Sequence, residues 1–270
     1  MNVKAMLADF LTFVTPKSMH KARFSVLLDA VTALAKDACC TVTAIGRAMP
    51  GSSDKVSIKR ADRLLNNPNL QRELPLIYAA LTASIVGHKT KPMILVDWSN
   101  ADTAKRHFIL RASIAADGRA LTLLQKIAAA EDYTCPHLHG AFLKQLKAML
   151  PKDCKPVIVT DAGFKVPWLK QVRKLGWHYV ARVRGNVKLK LAEQDKFISV
   201  NQLYRQAKKD PKSVGKIMLA QTQHYETQAV LVGKGYKLLK RDKNKTYKEP
   251  WLLVSSLADC HGYADKIAKC

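Results

Sequence analysis

Apolar positions three and four residues apart run through residues 3–14, 21–36, 43–49, 56–66 and 70–86 and predict five helices. Pro16, the Pro50-Gly51-Ser52-Ser53 break and Asn66-Asn67-Pro68 separate them. Within 56–66 the spacing turns Val56, Ile58, Leu64 and Leu65 inward and leaves Lys59, Arg60 and Arg63 on one outer face. With the short helix around Ile45 and Arg47 ahead of it, this stretch suits a helix offered to a DNA groove in helix-turn-helix fashion. The plain alternative is an ordinary solvated helix face.

From Lys91 the texture changes to short β-rich runs. Residues 92–98, 107–115 and 120–127 read as three strands, the last two joined by Ala116-Asp117-Gly118-Arg119, whose Asp-Gly is a hairpin signal. A helix over 136–150, a strand over 156–161, a helix over 167–175 closed by Gly176 and a strand over 177–183 follow. Strand, strand, strand, helix, strand, helix, strand is the order of an RNase H-like mixed α/β sheet. The predicted division is a helical domain at 1–88 and a first part of the α/β core at 89–185. A β-rich insertion at 186–250, with strands at 214–222 and 225–232, and a returning segment at 251–270 complete it.

Two of these strands end in a carboxylate, Met93-Ile94-Leu95-Val96-Asp97 and Val157-Ile158-Val159-Thr160-Asp161. In the predicted order the first and fourth strands are neighbours, about 4.8 Å apart, so Asp97 and Asp161 fall side by side at a distance suited to sharing a divalent metal. Without a cation they repel, and one takes up a proton.

The chain has 45 Lys+Arg against 21 Asp+Glu, a formal charge of +24, with 48% hydrophobic residues. That balance draws it to phosphate polyanions while leaving enough apolar chain for real cores. Metal-assisted chemistry on nucleic acid is the first hypothesis. Residues 234–248, which include Lys240 and Arg241, read as a basic loop that follows a phosphate backbone, with a merely solvated loop as the alternative. No apolar run is long enough to span a bilayer, and Lys4 and Asp9 interrupt a signal-peptide layout, which predicts a cytoplasmic protein. The six cysteines show neither a zinc-ribbon nor a disulfide pattern. Cys135-Pro136-His137-Leu138-His139 is read as a helix start with Pro136 in its first turn rather than a metal site.

The segments Lys59-Arg60-Ala61-Asp62-Arg63-Leu64-Leu65, Val96-Asp97-Trp98-Ser99 and Val159-Thr160-Asp161-Ala162-Gly163-Phe164-Lys165-Val166-Pro167-Trp168, with Leu175-Gly176-Trp177 and Arg182-Val183-Arg184-Gly185, carry a resemblance. Over nearly all of its length the chain resembles the insertion sequence four family of bacterial DDE transposases, and within it the transposon ten transposases. The resemblance implies an RNase H-like catalytic domain interrupted by a β insertion and a helical domain that binds transposon ends. It further implies cut-and-paste DNA transposition with magnesium or manganese, and possible pairing of two copies in a synaptic complex on the terminal repeats and target DNA. It makes Asp97 and Asp161 the first two catalytic, metal-holding carboxylates. Trp251 becomes the tryptophan that stacks on a flipped base, with a core or junction tryptophan as the alternative. Arg182 and Arg184, at a strand end, are candidate phosphate clamps.

One departure bears on activity. The family's third carboxylate is a glutamate in a spaced signature of Tyr, Arg, Glu and Lys. Tyr179 precedes Arg182 correctly, but Asn186 stands at the glutamate position; Tyr263 is followed by Lys266 and then Cys270. The implied glutamate falls beyond Cys270, which predicts a truncated and catalytically impaired transposase. The alternative is a non-catalytic fragment that occupies transposon ends and obstructs the full enzyme. An unrelated RNase H-like nuclease would need a third acid near the pair, and Glu193, Glu226 and Glu249 lie in the presumed insertion.

Overall fold

In a computed structural model of the chain, the described residues are 2–37, 39–116, 118–207, 210–233 and 250–258. They form two units, Met1–Gly87 and His88–Cys270.

The first unit is helical: α1 (Val3–Val14), α2 (Lys21–Asp37), α3 (Val42–Ala48), α4 (Asp54–Leu65) and α5 (Pro68–Val86). Polar caps start three of them. Asn2 accepts from the Lys4 and Ala5 N–H groups, Thr41 from Ala44, and Asn67 from Asn69 and Leu70, with Pro68 in the first turn of α5. Met19, Ala33, Ile45, Ala61 and Leu64 lie in its core. The inward face of α4 differs from the expected one. Ser57, Ala61 and Leu64 are buried, while Val56 and Leu65 are 45% and 46% exposed. Small residues win that face because α3 presses close: a Cβ on Gly46 would stand 2.4 Å from Ile58 Cα.

Among the described residues the second unit carries one sheet of ten strands in the order β3-β2-β1-β4-β5-β10-β9-β8-β6-β7. β1 (Met93–Asn100), β2 (His107–Ala116) and β3 (Arg119–Ala129) form an antiparallel meander. Gly118, at φ +78°, supplies the left-handed turn of the β2–β3 hairpin; Asp117 of that turn lies outside the described residues. α6 (Pro136–Met149) leads to β4 (Val157–Thr160), parallel to β1, and α7 (Val166–Lys174) leads to β5 (His178–Val183), parallel to β4. β10 (Trp251–Ser255) then pairs antiparallel with both β5 and β9.

The strands expected in an insertion, β8 (Lys212–Leu219) and β9 (Tyr225–Val232), extend this same sheet through β10. The sequence reading does not contain β6 (Lys188–Leu191), β7 (Ile198–Ser199), the single-turn α8 (Val200–Leu203) or the short 3-10 turns Ala130–Asp132 and Tyr204–Gln206. Each is shorter than the window over which periodicity shows itself.

Candidate active site

Strand alternation decides which side chains of β1 meet the helices. Ile94 and Val96 are fully buried, and Trp98, next in that series, donates from Nε1 to His139 Nε2 of α6 at 3.3 Å. The even positions therefore face the helices, and Asp97 points to the other face of the sheet.

Register then assembles a row of charges on that face. Asp97 is the cross-strand partner of Arg111 on β2. On the other side Val96 is level with Thr160 of β4, and Thr160 with Ala181 of β5. Continued one residue past the end of β4, this register carries Asp161 to the side of Asp97, whose carboxyl feels its charge, and towards Arg182 on β5. Across four neighbouring strands the row reads Arg111, Asp97, Asp161, Arg182, with about 4.8 Å between successive strands.

The electrostatics bear the mark of this crowding. The Asp97 carboxyl is held above the ordinary aspartate range, first by desolvation and then by the negative charge of Asp161. The Trp98 N–H and the charge of Arg111 oppose that shift without cancelling it. Each aspartate spends Oδ1 on one backbone donor, Asp97 on Trp98 N and Asp161 on Gly163 N, both at 2.8 Å. Among the described residues neither Oδ2 has a donor, so two hard oxygens of like charge are left without an internal cation between them. That donor set fits a divalent ion of the magnesium or manganese type. No group of three His, Cys, Asp or Glu residues able to hold a metal occurs among the described residues.

The loop after β4 is built to hold Asp161. The Gly163 N–H closes a turn onto the carboxylate, and a Cβ at Gly163 would stand 3.0 Å from Asp161 Oδ1. Phe164 then pins the loop from below, 4.7 Å from the Trp168 ring and 5.4 Å from His139. His139 also meets Trp98, at 5.9 Å between ring centroids. The residues that follow the two aspartates, Trp98 and Phe164, thus converge on one buried histidine. Burial pushes its pKa down to about 4, so it is neutral and accepts the Trp98 N–H.

Residues 85–254, more than half of the chain, match the family model described as Transposase DDE domain. The chain belongs to this transposase family. No curated protein matches it. Among solved structures it is similar to a piggyBac transposase in a synaptic complex with hairpin DNA, at 12% identity and a TM-score of 0.42, covering 94% of this chain and 57% of that one. The chain therefore spans little more than half the length of that protein.

Within this transposase domain Trp251 and Arg182 meet: the guanidinium carbon lies 5.1 Å from the indole centroid. Trp251 is half-buried against the cluster of Val157, Val180, Val230 and Leu253. Arg182 and Arg184 line a cavity of about 300 Å³ together with Ala162, Lys165 and Leu219, at the carboxyl ends of β4 and β5. Glu226 is exposed and paired with Lys216 at 3.3 Å, away from the charge row on β9. Lys240, Arg241 and Glu249 lie outside the described residues.

In the helical unit Lys59 and Arg63 are exposed on α4 as expected. Arg60 is not equivalent to them. Its guanidinium donates to the Pro50 carbonyl and forms an ion pair of 3.0 Å with Asp29, a carboxylate that also holds Lys4. Arg60 thus serves the packing of α4 on α2, and the outer basic face is carried by Lys59 and Arg63.

Two contributors were missed in the sequence. Arg111 flanks Asp97 only through cross-strand register, and His139 reads as an ordinary helix position until Trp98 and Phe164 are seen to share it. No helix among the described residues is long and apolar enough to cross a membrane.

Proposed function

We propose that this chain is a DNA transposase of the insertion sequence four type, similar to the transposon ten enzymes, with an RNase H-like core. Its Asp97–Asp161 pair would hold a divalent magnesium or manganese ion. The observation that carries the reading is the acidic pair at the centre of the row. The negative charge of Asp161 and burial both disfavour the Asp97 carboxylate, and the Trp98 N–H and Arg111 relieve it only in part.

Asp97 and Asp161 would hold the divalent ion, which would supply Lewis-acid chemistry to phosphodiester cleavage and strand transfer. The chain's own residues supply the rest. Asp97 and Asp161 present oxygen ligands at fixed spacing, because β1 and β4 are hydrogen-bonded to each other. Gly163 and the His139 cluster keep those carboxylates from turning away. Arg182, one strand beyond Asp161, brings a cation to where the phosphate of a DNA strand would lie, and Trp251 beside it offers an aromatic face to a base. Lys59 and Arg63 on α4 are assigned to the transposon end, with Lys240 and Arg241 as further backbone contacts.

The alternative is a non-catalytic chain. Such a chain would occupy transposon ends without cutting them and obstruct an active transposase. Both readings are separated by incubating the protein with a supercoiled plasmid carrying its terminal repeats and manganese. Double-strand cuts at the ends that vanish in Asp97→Ala and Asp161→Ala support the enzyme. End binding in a gel shift with no cuts supports the obstructing chain. Neither binding nor cutting contradicts both.

A further inference from the structure

The row of charges continues past the acidic pair on the β2 side. Arg111 is the cross-strand partner of Asp97, and Gln125 of β3 is the partner of Arg111. Directly opposed residues of antiparallel strands point to the same face, so Arg111 and Gln125 share the face that carries Asp97. Both are exposed there. Ile127, two residues along β3 on the same side, is 63% exposed. The other face of this wing is spent on the core, where Leu110, Ala112 and Leu124 are buried.

The open face has the chemistry that a nucleotide strand requires. β2 and β3 contain no Asp or Glu, so nothing on them repels a phosphate. Arg111 is not consumed by its neighbour. Asp97 feels its charge, yet among the described residues no ion pair closes between the two, and Asp97 Oδ1 takes the Trp98 N–H instead. An arginine that served only to offset the acidic pair would do so best by closing that contact. At this position its planar guanidinium is able to grip a phosphate through two parallel donors. The Gln125 amide, one strand further out, reaches towards the next sugar or phosphate, and Ile127 offers it an apolar contact. Successive strands are about 4.8 Å apart, so these groups follow one another across the sheet and not along it.

We propose that Arg111 binds the phosphate next to the reacting one, and that the open face of β2 and β3 is the track on which the DNA strand leaves the acidic pair, crossing the sheet at right angles to its strands. The track rests on the metal-site reading above and deepens it: Arg182 and Trp251 are assigned to the strand on the β5 side, Arg111 and Gln125 to its continuation on the β2–β3 side.

Gel shifts in the presence of manganese test it on a terminal-repeat duplex that already ends at the transposon boundary, so that no cleavage intervenes. Arg111→Gln should weaken binding about tenfold, the usual effect of losing a charge-assisted hydrogen bond. It should also lower the slope of log K against log salt by about 0.7–0.9, with circular dichroism unchanged, and Arg111→Lys should keep most of the affinity. Arg119→Gln removes an equal, exposed charge from the same wing, about 17 Å along β2 at the level of Ala116, and should have a smaller effect. A neutral methylphosphonate moved one position at a time through the last nucleotides should, at a single phosphate, weaken the wild type and leave Arg111→Gln as it was. Mn²⁺ calorimetry of Arg111→Gln should show an affinity no lower than that of the wild type, since a cation beside the carboxylates has gone.

Arg111→Gln that binds DNA no more weakly than Arg119→Gln overturns the proposal. So does a methylphosphonate profile shared by wild type and variant, or an Mn²⁺ affinity that falls with Arg111, which would make the DNA effect an indirect one. Each of these leaves the acidic pair of the wild type standing. A wild-type chain that binds no Mn²⁺ or no DNA overturns the metal-site reading, and the track with it.

Discussion

At the scale of single residues, the site is governed by what burial and neighbouring charge do to ionisation. Asp97 is held above the ordinary aspartate range, so its carboxylate form is less favourable than that of a free aspartate. Protons therefore compete for this oxygen at a higher pH than they would at a free aspartate, and affinity for the proposed divalent ion is expected to fall away on the acid side sooner than at an isolated site. His139 carries the opposite case. Its pKa falls from 6.5 to about 4 on burial, so between those values only the unfolded chain takes up the proton. Its contribution to stability is whole above about pH 6.5 and is lost as pH drops from there through about 4. The prediction is that Tm declines less steeply over this interval in His139→Phe than in the wild type. Equal slopes measured by scanning calorimetry would contradict the assignment.

At the scale of elements, the close approach of α3 and α4 is set by Gly46, where a side chain would collide with the backbone of Ile58. Gly46→Ala is expected to destabilise the helical unit by about 1–3 kcal/mol, the usual cost of overpacking, and to weaken DNA binding by displacing α4. Denaturant titration together with a gel shift checks both effects; unchanged stability would show that the contact is not a constraint. The five helices and the first five strands were legible in the sequence because each is long enough to display its period between Pro, Gly or Asn breaks. β6, β7 and α8 are too short for that. The inner face of α4 was misread because Val56 and Leu65 are the more hydrophobic residues, yet close packing selected Ser57 and Ala61. The two aspartates were visible as the ends of apolar strands. The flanking arginines became functional candidates of the same row only through strand register: the pairing of Asp97 with Arg111, and the step from Asp161 to Arg182, depend on which strands lie side by side.

At the scale of the whole molecule, the chain combines a basic surface with an acidic pair set between two arginines, and the two should respond to solution conditions independently. Binding to terminal-repeat DNA should weaken with added salt, and Lys59→Ala or Arg63→Ala should each reduce the slope of log K against log salt by about 0.9. Arg60→Ala should act differently. It leaves the buried Asp29 carboxylate with Lys4 as its remaining cation and lowers stability more than it changes the slope. The central claim, that Asp97 and Asp161 together form a divalent cation site, is tested most directly by titrating Mn²⁺ into the metal-free protein in a calorimeter, with no DNA present. The account predicts saturable binding to the wild type and its loss in both Asp97→Asn and Asp161→Asn, each still folded. Binding that survives unchanged in either variant would contradict it.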